Sequence, residues 1–195
     1  MGVFAGDGNF HFDAKTYHYK VSIELSEYQR EYTEILADIM ERVFAKKPRV
    51  WANRKKHSIV VRLYGKSLYA LLRQFLRWRG NKTHTISFMP SSLSLGKIFL
   101  RGVIRGLVAS DGSVDRRNRC ITFGVTSKKL AEQFSEIVKV FGITSQLHRS
   151  KKKGRRRLCH IVTIGSIEML EKFKLDIGLT DPARASLLTQ ITERR

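Results

Sequence analysis

Two aspartates, Asp7 and Asp111, stand 104 positions apart in the same setting. Each ends an apolar helical stretch and is followed by glycine, in "MGVFAGDG" and in "IRGLVASDG". Gly2 and Gly6, and Gly102 and Gly106, are small residues four apart. On a helix they share one face and would let two helices pack backbone to backbone. Packing of that kind sets the two C-terminal ends side by side, with Asp7 and Asp111 next to the negative ends of both helix dipoles. Carboxylates so placed repel each other and ionise cheaply only with a cation nearby. Hard oxygen ligands in the company of phosphates suit Mg²⁺.

The elements that must position these acids come in two copies. After Asp7-Gly8, "NFHFD" and "TYHYKVSIEL" alternate as a hairpin, with Tyr17, Tyr19, Val21, Ile23 and Leu25 on one face. Ser26 with Gln29 reads as a capping box for a helix carrying Tyr32, Ile35, Leu36, Ile39, Met40 and Val43. "PRVWAN" and "HSIVVRLYG" form a second hairpin about Arg54-Lys55-Lys56, and a helix with Leu68, Leu71, Leu72 and Phe75 follows. After Asp111-Gly112 the order repeats: a strand pair about Asp115–Asn118, a helix stopped by Gly142, the strands "ITSQLH" and "LCHIVTIG", and a helix opened by Met169, Leu170 and Phe173. Each half therefore reads α-β-β-α-β-β-α, an α+β class. The expected division is an N-terminal domain over 1–79, a linker over 80–97 rich in Gly, Pro and Ser, and a C-terminal domain over 98–195.

Charge names the partner. The 195 residues hold 37 Lys and Arg against 17 Asp and Glu, a formal net charge of +20. The excess is spread through the body, with 17 basic and 8 acidic groups in residues 1–100 and 20 and 9 in 101–195. A folded body charged this way suits a polyanion. No amphipathic helix gathers the cations for a membrane, and no apolar run is long enough to span one. The two cysteines, Cys120 and Cys159, have neither zinc nor disulfide-framework spacing. Strand parity leaves His18, Lys20, Ser22 and Arg62 on the polar sheet face of one half, and Thr122, Thr144, Gln146 and His148 on that of the other. Such faces suit groove reading by β-ribbons. Basic turns flank them as phosphate contacts: Arg54, Lys55 and Lys56; Arg116 and Arg117; and, in "RSKKKGRRR", Lys151, Lys152, Lys153, Arg155 and Arg157. On the same alternation Cys159 shares its side with Ile161 and is expected in the core, and His160 is expected to be structural.

The paired Asp-Gly motifs and the duplicated order resemble the LAGLIDADG homing endonucleases in their single-chain, two-motif form, and the resemblance covers nearly the whole chain. It implies two antiparallel sheets making a DNA-binding saddle, with the motif helices packed at a pseudo-two-fold interface. It implies Asp7 and Asp111 as catalytic acids and metal ligands, joined by the carbonyls of Gly6 and Ser110. Two or three Mg²⁺ ions, replaceable by Mn²⁺, would serve phosphodiester hydrolysis, with Ca²⁺ permitting binding without cleavage. The substrate would be a long, asymmetric double-stranded DNA site, cut across the minor groove to leave short 3′ overhangs by a monomer. Arg77, Lys128 and Ser26 are the candidates for accessory groups. The motifs depart from the family name at Ala5 and Ala109, where it has Asp. The first helix is also about a turn shorter than the second, so fraying of its end is expected. Alternative readings are a maturase of the same fold with intron RNA as partner, or a non-catalytic DNA-binding regulator. The expected location is a prokaryotic cytoplasm or nucleoid, or an organellar matrix.

Overall fold

The structure, a computed structural model, describes residues 1–151 and 158–193. The first half runs α1 (Gly2–Gly6), β1 (Gly8–Asp13), β2 (His18–Ser26), α2 (Arg30–Phe44), β3 (Arg49–Asn53), β4 (Ser58–Tyr64) and α3 (Lys66–Phe75). Short elements follow: β5 (Leu76–Arg77), α4 (Lys82–Thr85), β6 (Ser87–Phe88) and α5 (Pro90–Leu93). The second half repeats the order with α6 (Lys97–Asp111), β7 (Gly112–Asp115), β8 (Cys120–Val125), α7 (Lys128–Val140), β9 (Gln146–Ser150), β10 (Cys159–Ile164) and α8 (Ile167–Asp176). A last helix, α9 (Pro182–Glu193), ends the described chain.

Two compact units result: Met1–Gly6 with Phe75–Arg195, and Asp7–Gln74. These boundaries differ from the sequence division at 79 and 97, because α1 packs on α6 and the stretch after α3 packs on α7. The Asp7–Gln74 unit is an antiparallel sheet in the order β1-β2-β4-β3. Val21, Ile23, Leu25, Val61 and Leu63 point from it into a core shared with Leu36 and Met40 of α2 and Leu72 of α3. The other unit holds the matching order β7-β8-β10-β9, with Phe123 stacked on Phe134 at 4.5 Å in its core. Hairpin turns end on residues forced into left-handed backbone, Tyr17, His57 and Arg119. In two of them an aspartate at the start accepts the following amides, Asp13 from Lys15 and Thr16, Asp115 from Arg117 and Asn118. Gly142 does stop α7: at φ 69° it donates to the Lys139 carbonyl while Ile143 reaches back to Val138.

Three local expectations change. Ser26 caps a single 3₁₀ turn, Glu27–Gln29, through the Tyr28 amide, and α2 starts only at Arg30 without a side-chain cap. Thr144 precedes β9 and does not lie in the sheet. The stretch read as a linker is packed structure. Ile86 and Phe88 are buried, and the Gln133 side chain of α7 both donates to and accepts from the Phe88 backbone, at 2.9 and 2.8 Å. Ser127 donates to the Ile86 carbonyl at 2.7 Å. One-turn helices and two-residue strands are too short to show a hydrophobic period, so composition alone had marked this stretch as loop.

Candidate functional site: the motif-helix ends and the open sheet faces

Within the first unit α1 lies against α6 with almost no side chain between them. A Cβ on Gly2 would come 2.0 Å from the Val103 carbonyl oxygen and 2.6 Å from the Leu107 nitrogen. One on Gly106 would come 2.5 Å from the Val3 nitrogen and 2.9 Å from the Gly2 Cα. Gly6 faces Ser110 Oγ at 2.1 Å and Asp111 Oδ2 at 2.6 Å on the same measure. The contact set is therefore Gly2 and Gly6 against Gly106 and Ser110. Gly102, expected in this interface, is not part of it, since a Cβ there meets nothing within 4 Å. The reason is register. Gly2 already lies over Gly106, so a residue one turn earlier on α6 has no α1 opposite it.

Asp111 is the last residue of α6, and Gly112 begins β7 at once. Only glycine fits there, because a Cβ would stand 2.6 Å from Val108 Cα and 2.7 Å from its oxygen. The Asp-Gly pair thus marks a tight passage from helix to strand. Asp111 is exposed, yet neighbouring protein atoms push its carboxyl above the usual range, and the Lys82 ammonium pulls it partly back. The same ammonium donates to the Gly6 carbonyl at 2.7 Å. Behind Asp111, Arg184 of α9 donates to the Ala109 carbonyl at 2.7 Å and pairs with the buried Asp181. Asp7, half-buried, follows Gly6 in the chain and opens the second unit.

The open face of the β1–β4 sheet carries His18, Lys20 and Ser22 on β2 and Arg62 on β4, as parity predicts, with Ser22 paired to Arg62. Trp51 and Arg49 of β3 share this face. Asp13 of β1, opposite His18, and Glu24 of β2 are acids of this face. Glu24 accepts from Ser58 Oγ at 2.7 Å and pairs with Lys56 at 3.2 Å, so Lys56 of the basic turn is partly neutralised where Arg54 and Lys55 are exposed. The open face of the other sheet carries Ser113, Thr122, Thr163, Gln146 and His148, with Ser113 and Thr122 bonded at 3.0 Å. Here Cys159 is a correction. It does share a side with Ile161, but that side is the open one, while His160 points inward and is buried. Cys159, Ile161 and Thr163 are all uncharged, so hydropathy could not tell the two sides of β10 apart. Arg116, Arg117 and Lys151 are exposed; Lys152, Lys153, Arg155 and Arg157 lie outside the described residues.

Comparison with known proteins decides the family. A model of the WhiA LAGLIDADG-like domain matches residues 1–75, and a LAGLIDADG-like domain model matches residues 99–178. The chain belongs to the LAGLIDADG family. Among solved structures, I-DmoI in complex with DNA and Ca aligns with a TM-score of 0.70 and 15% identity over 95% of this chain and 93% of that one. The N-terminal LAGLIDADG domain of DUF199/WhiA aligns with a TM-score of 0.59 and 13% identity, over 91% and 78%. A DNA polymerase of Thermococcus kodakarensis is 21% identical over 184 residues, 92% of this chain. The chain spans about a tenth of that polymerase's length. The two-domain LAGLIDADG fold is thereby established, down to its two antiparallel sheets.

The candidate accessory groups Ser26, Arg77 and Lys128 each have a protein partner. Ser26 is a cap, Arg77 donates to Ser87 Oγ at 3.4 Å, and Lys128 pairs with Glu132 at 3.4 Å. Two cations reach the ends of the motif helices among the described residues, Arg184 at the Ala109 carbonyl and Lys82 at the Gly6 carbonyl, and Lys82 comes from the stretch read as a linker. Nothing in its sequence setting, "GNKTHT", distinguishes it from a solvated lysine. Among the described residues no group of three or more His, Cys, Asp or Glu forms a metal cage, and no helix is long and apolar enough to cross a membrane.

Proposed function

We propose that the chain is a site-specific double-stranded DNA endonuclease, acting by Mg²⁺-dependent phosphodiester hydrolysis. The observation that carries this reading is the end of α6. The Asp111 carboxylate stands there close against Gly6, where an added Cβ would meet its Oδ2 at 2.6 Å, and the Gly6 carbonyl accepts a cationic donor. Such a place suits a hard cation, since both groups are oxygen donors. Asp111 and Asp7, with the carbonyls of Gly6 and Ser110, would hold it. A divalent cation held there would supply Lewis-acid activation of water and positive charge against the scissile phosphate. The chain's own residues do the rest. The Gly2 and Gly106 contacts set α1 backbone against α6 backbone, and Gly6 leaves room for the Ser110 and Asp111 side chains at the helix ends. Lys82 keeps positive charge at the Gly6 carbonyl, and the basic turns and open sheet faces hold and read the duplex.

A second reading, a LAGLIDADG protein that binds DNA without cutting it, is favoured by one observation: the Gly6 carbonyl accepts the Lys82 ammonium, which can replace a metal's charge there. One experiment separates them. A randomised plasmid library is incubated with the protein in Mg²⁺, in Mg²⁺ with EDTA, and in Ca²⁺, and the cut and bound populations are sequenced. Cutting in Mg²⁺ alone, lost in Asp111→Asn and Asp7→Asn while binding in Ca²⁺ persists within about tenfold, is the expected result. Enriched binding in Ca²⁺ with no cutting in Mg²⁺ or Mn²⁺ sinks the nuclease and leaves the second reading standing.

A further inference from the structure

We infer that Arg62 is a pre-set guanine reader, the residue that gives this chain a required G·C pair in the half of its target met by the β1–β4 sheet. The inference rests on the reading of the open faces as DNA-binding surfaces. Arg62 lies on β4, an interior strand, opposite Ser22 of β2 on one side and Arg49 of β3 on the other. It therefore sits mid-face, whereas phosphate contacts are expected from the rims and turns. Its guanidinium is held over an aromatic ring: the Cζ is 4.6 Å from the centroid of the Trp51 ring, and Nη1 donates to Tyr64 Oη at 3.4 Å. Trp51 has 38% of its surface exposed and lies on this open face, away from the core, so its ring serves as a platform.

Two further observations separate Arg62 from an ordinary surface arginine. Its Nε is buried with no hydrogen-bond partner, an unfavourable state that a loosely held side chain would leave by rotating. No carboxylate forms an ion pair with it among the described residues: of the acids on this face, Glu24 is taken by Ser58 and Lys56, and Asp13, on the edge strand β1 opposite His18, accepts from the Lys15 and Thr16 amides. The charge is thus uncompensated, and it lines a concavity of about 560 Å³ with Lys20, Lys46, Lys47 and Arg49. The ligand has to be electron-rich, planar and ready to accept two parallel N–H groups.

In the major groove only guanine offers two acceptors side by side, O6 and N7, matching the guanidinium fork; adenine offers an acceptor beside a donor. A lysine cannot make this contact, since its ammonium has no fixed plane. Stacking on Trp51 removes side-chain freedom before binding, which sharpens discrimination by lowering the ordering cost. Trp51 is then a positioning residue for Arg62.

The test measures binding and not cutting. A randomised duplex library is selected in Ca²⁺ by wild type, Arg62→Lys, Arg62→Ala and Trp51→Ala, with thermal melts confirming that each variant folds. Wild type is expected to require G at one position. Both Arg62 variants lose that preference by about 5- to 150-fold while the other positions keep theirs. Trp51→Ala weakens the same single position. A uniform loss over all sequences, with the salt slope falling by roughly one, makes Arg62 a phosphate contact and overturns the inference. An unchanged G preference overturns it too. Either result leaves the DNA-binding reading intact, whereas absence of any selected sequence with wild type removes both.

Discussion

Replacing glycine by alanine at two places one turn apart on α6 should move stability in opposite directions. Gly102 and Gly106 are both interior to the helix, and alanine there gains about 0.5–1 kcal/mol of helix propensity. At Gly102 the new methyl meets nothing within 4 Å, so the gain stands. For a chain of this size it should appear as a rise of about 1–4 °C in Tm. At Gly106 the methyl would lie 2.5 Å from the Val3 nitrogen and 2.9 Å from two Gly2 backbone carbons. Ordinary contacts run to about 3.5–4.0 Å, so α1 must retreat by about 1 Å. Overpacking of that order costs about 1–3 kcal/mol, more than the propensity gain. Gly106→Ala should therefore melt below wild type, and because the propensity gain is common to both variants, they should be separated by the overpacking cost of roughly 1–3 kcal/mol. Thermal and urea unfolding followed by circular dichroism measure both. If Gly102→Ala destabilises, or Gly106→Ala melts with it, the backbone-to-backbone packing of α1 on α6 is wrong.

Other outcomes follow from single groups. Gln133→Leu strands the buried Phe88 N–H and carbonyl, costing about 2–5 kcal/mol, and should lower Tm by roughly 5–15 °C; a neutral effect would mean water replaces the amide. Asp111 has a folded pKa above its unfolded one, so stability falls as pH climbs through that window. In metal-free buffer near neutral pH, Asp111→Asn should thus raise Tm, while Ca²⁺ stabilises wild type and not the variant; a drop in Tm would show the carboxylate to be a net stabiliser through Lys82. Glu24 is held below the usual carboxylate range, first by Ser58 and then by Lys56, so its contribution is present above about pH 4.3 and lost on acidification. Glu24→Gln should flatten the acid limb of the stability curve, and an unchanged limb counts against the Ser58 bond. Gln146→Ala should relax base preference at one or two positions of one half-site by about 1–3 kcal/mol, seen by profiling single-base target variants; matching changes on both sides of the cut would mean a symmetric dimer.

Element order was legible because both halves use long, strongly periodic segments, and because the Asp-Gly pairs fall where helix must become strand. The glycine contacts were only half legible. Four-residue spacing selected Gly102 and Gly106, yet shifting Gly2 and Gly6 by the repeat offset gives Gly106 and Ser110, the residues that meet them. Ser110 is small enough to substitute for a glycine, and residue type alone does not single it out. Lys82 was illegible for a different reason. Its position depends on Phe88 and Ile86 being pinned to α7 by Gln133 and Ser127, a long-range arrangement that leaves no period in a stretch of serines and threonines. Cys159 shows the limit of parity, which pairs residues on one side of a strand without saying which side is covered.

The two halves have kept their order and lost their likeness where it bears on recognition. They match different LAGLIDADG-like domain models, and their open faces use different chemistry. One is cationic and aromatic, with Arg62 stacked on Trp51 and Arg49 lying 5.5 Å from the Tyr64 ring centroid. The other is built of small hydroxyls and neutral groups, with Thr122 paired to Thr163, and Ile161 between Gly124 and His148. A forked cation seeks paired acceptors on guanine, whereas a face of methyls and hydroxyls favours thymine methyl groups and single hydrogen bonds. Two surfaces so different cannot share one preferred half-site. If both meet DNA as proposed, the duplication that put an acid at the end of each motif helix serves two strands with the same chemistry, while the sheets require those strands to lie in a sequence without two-fold symmetry.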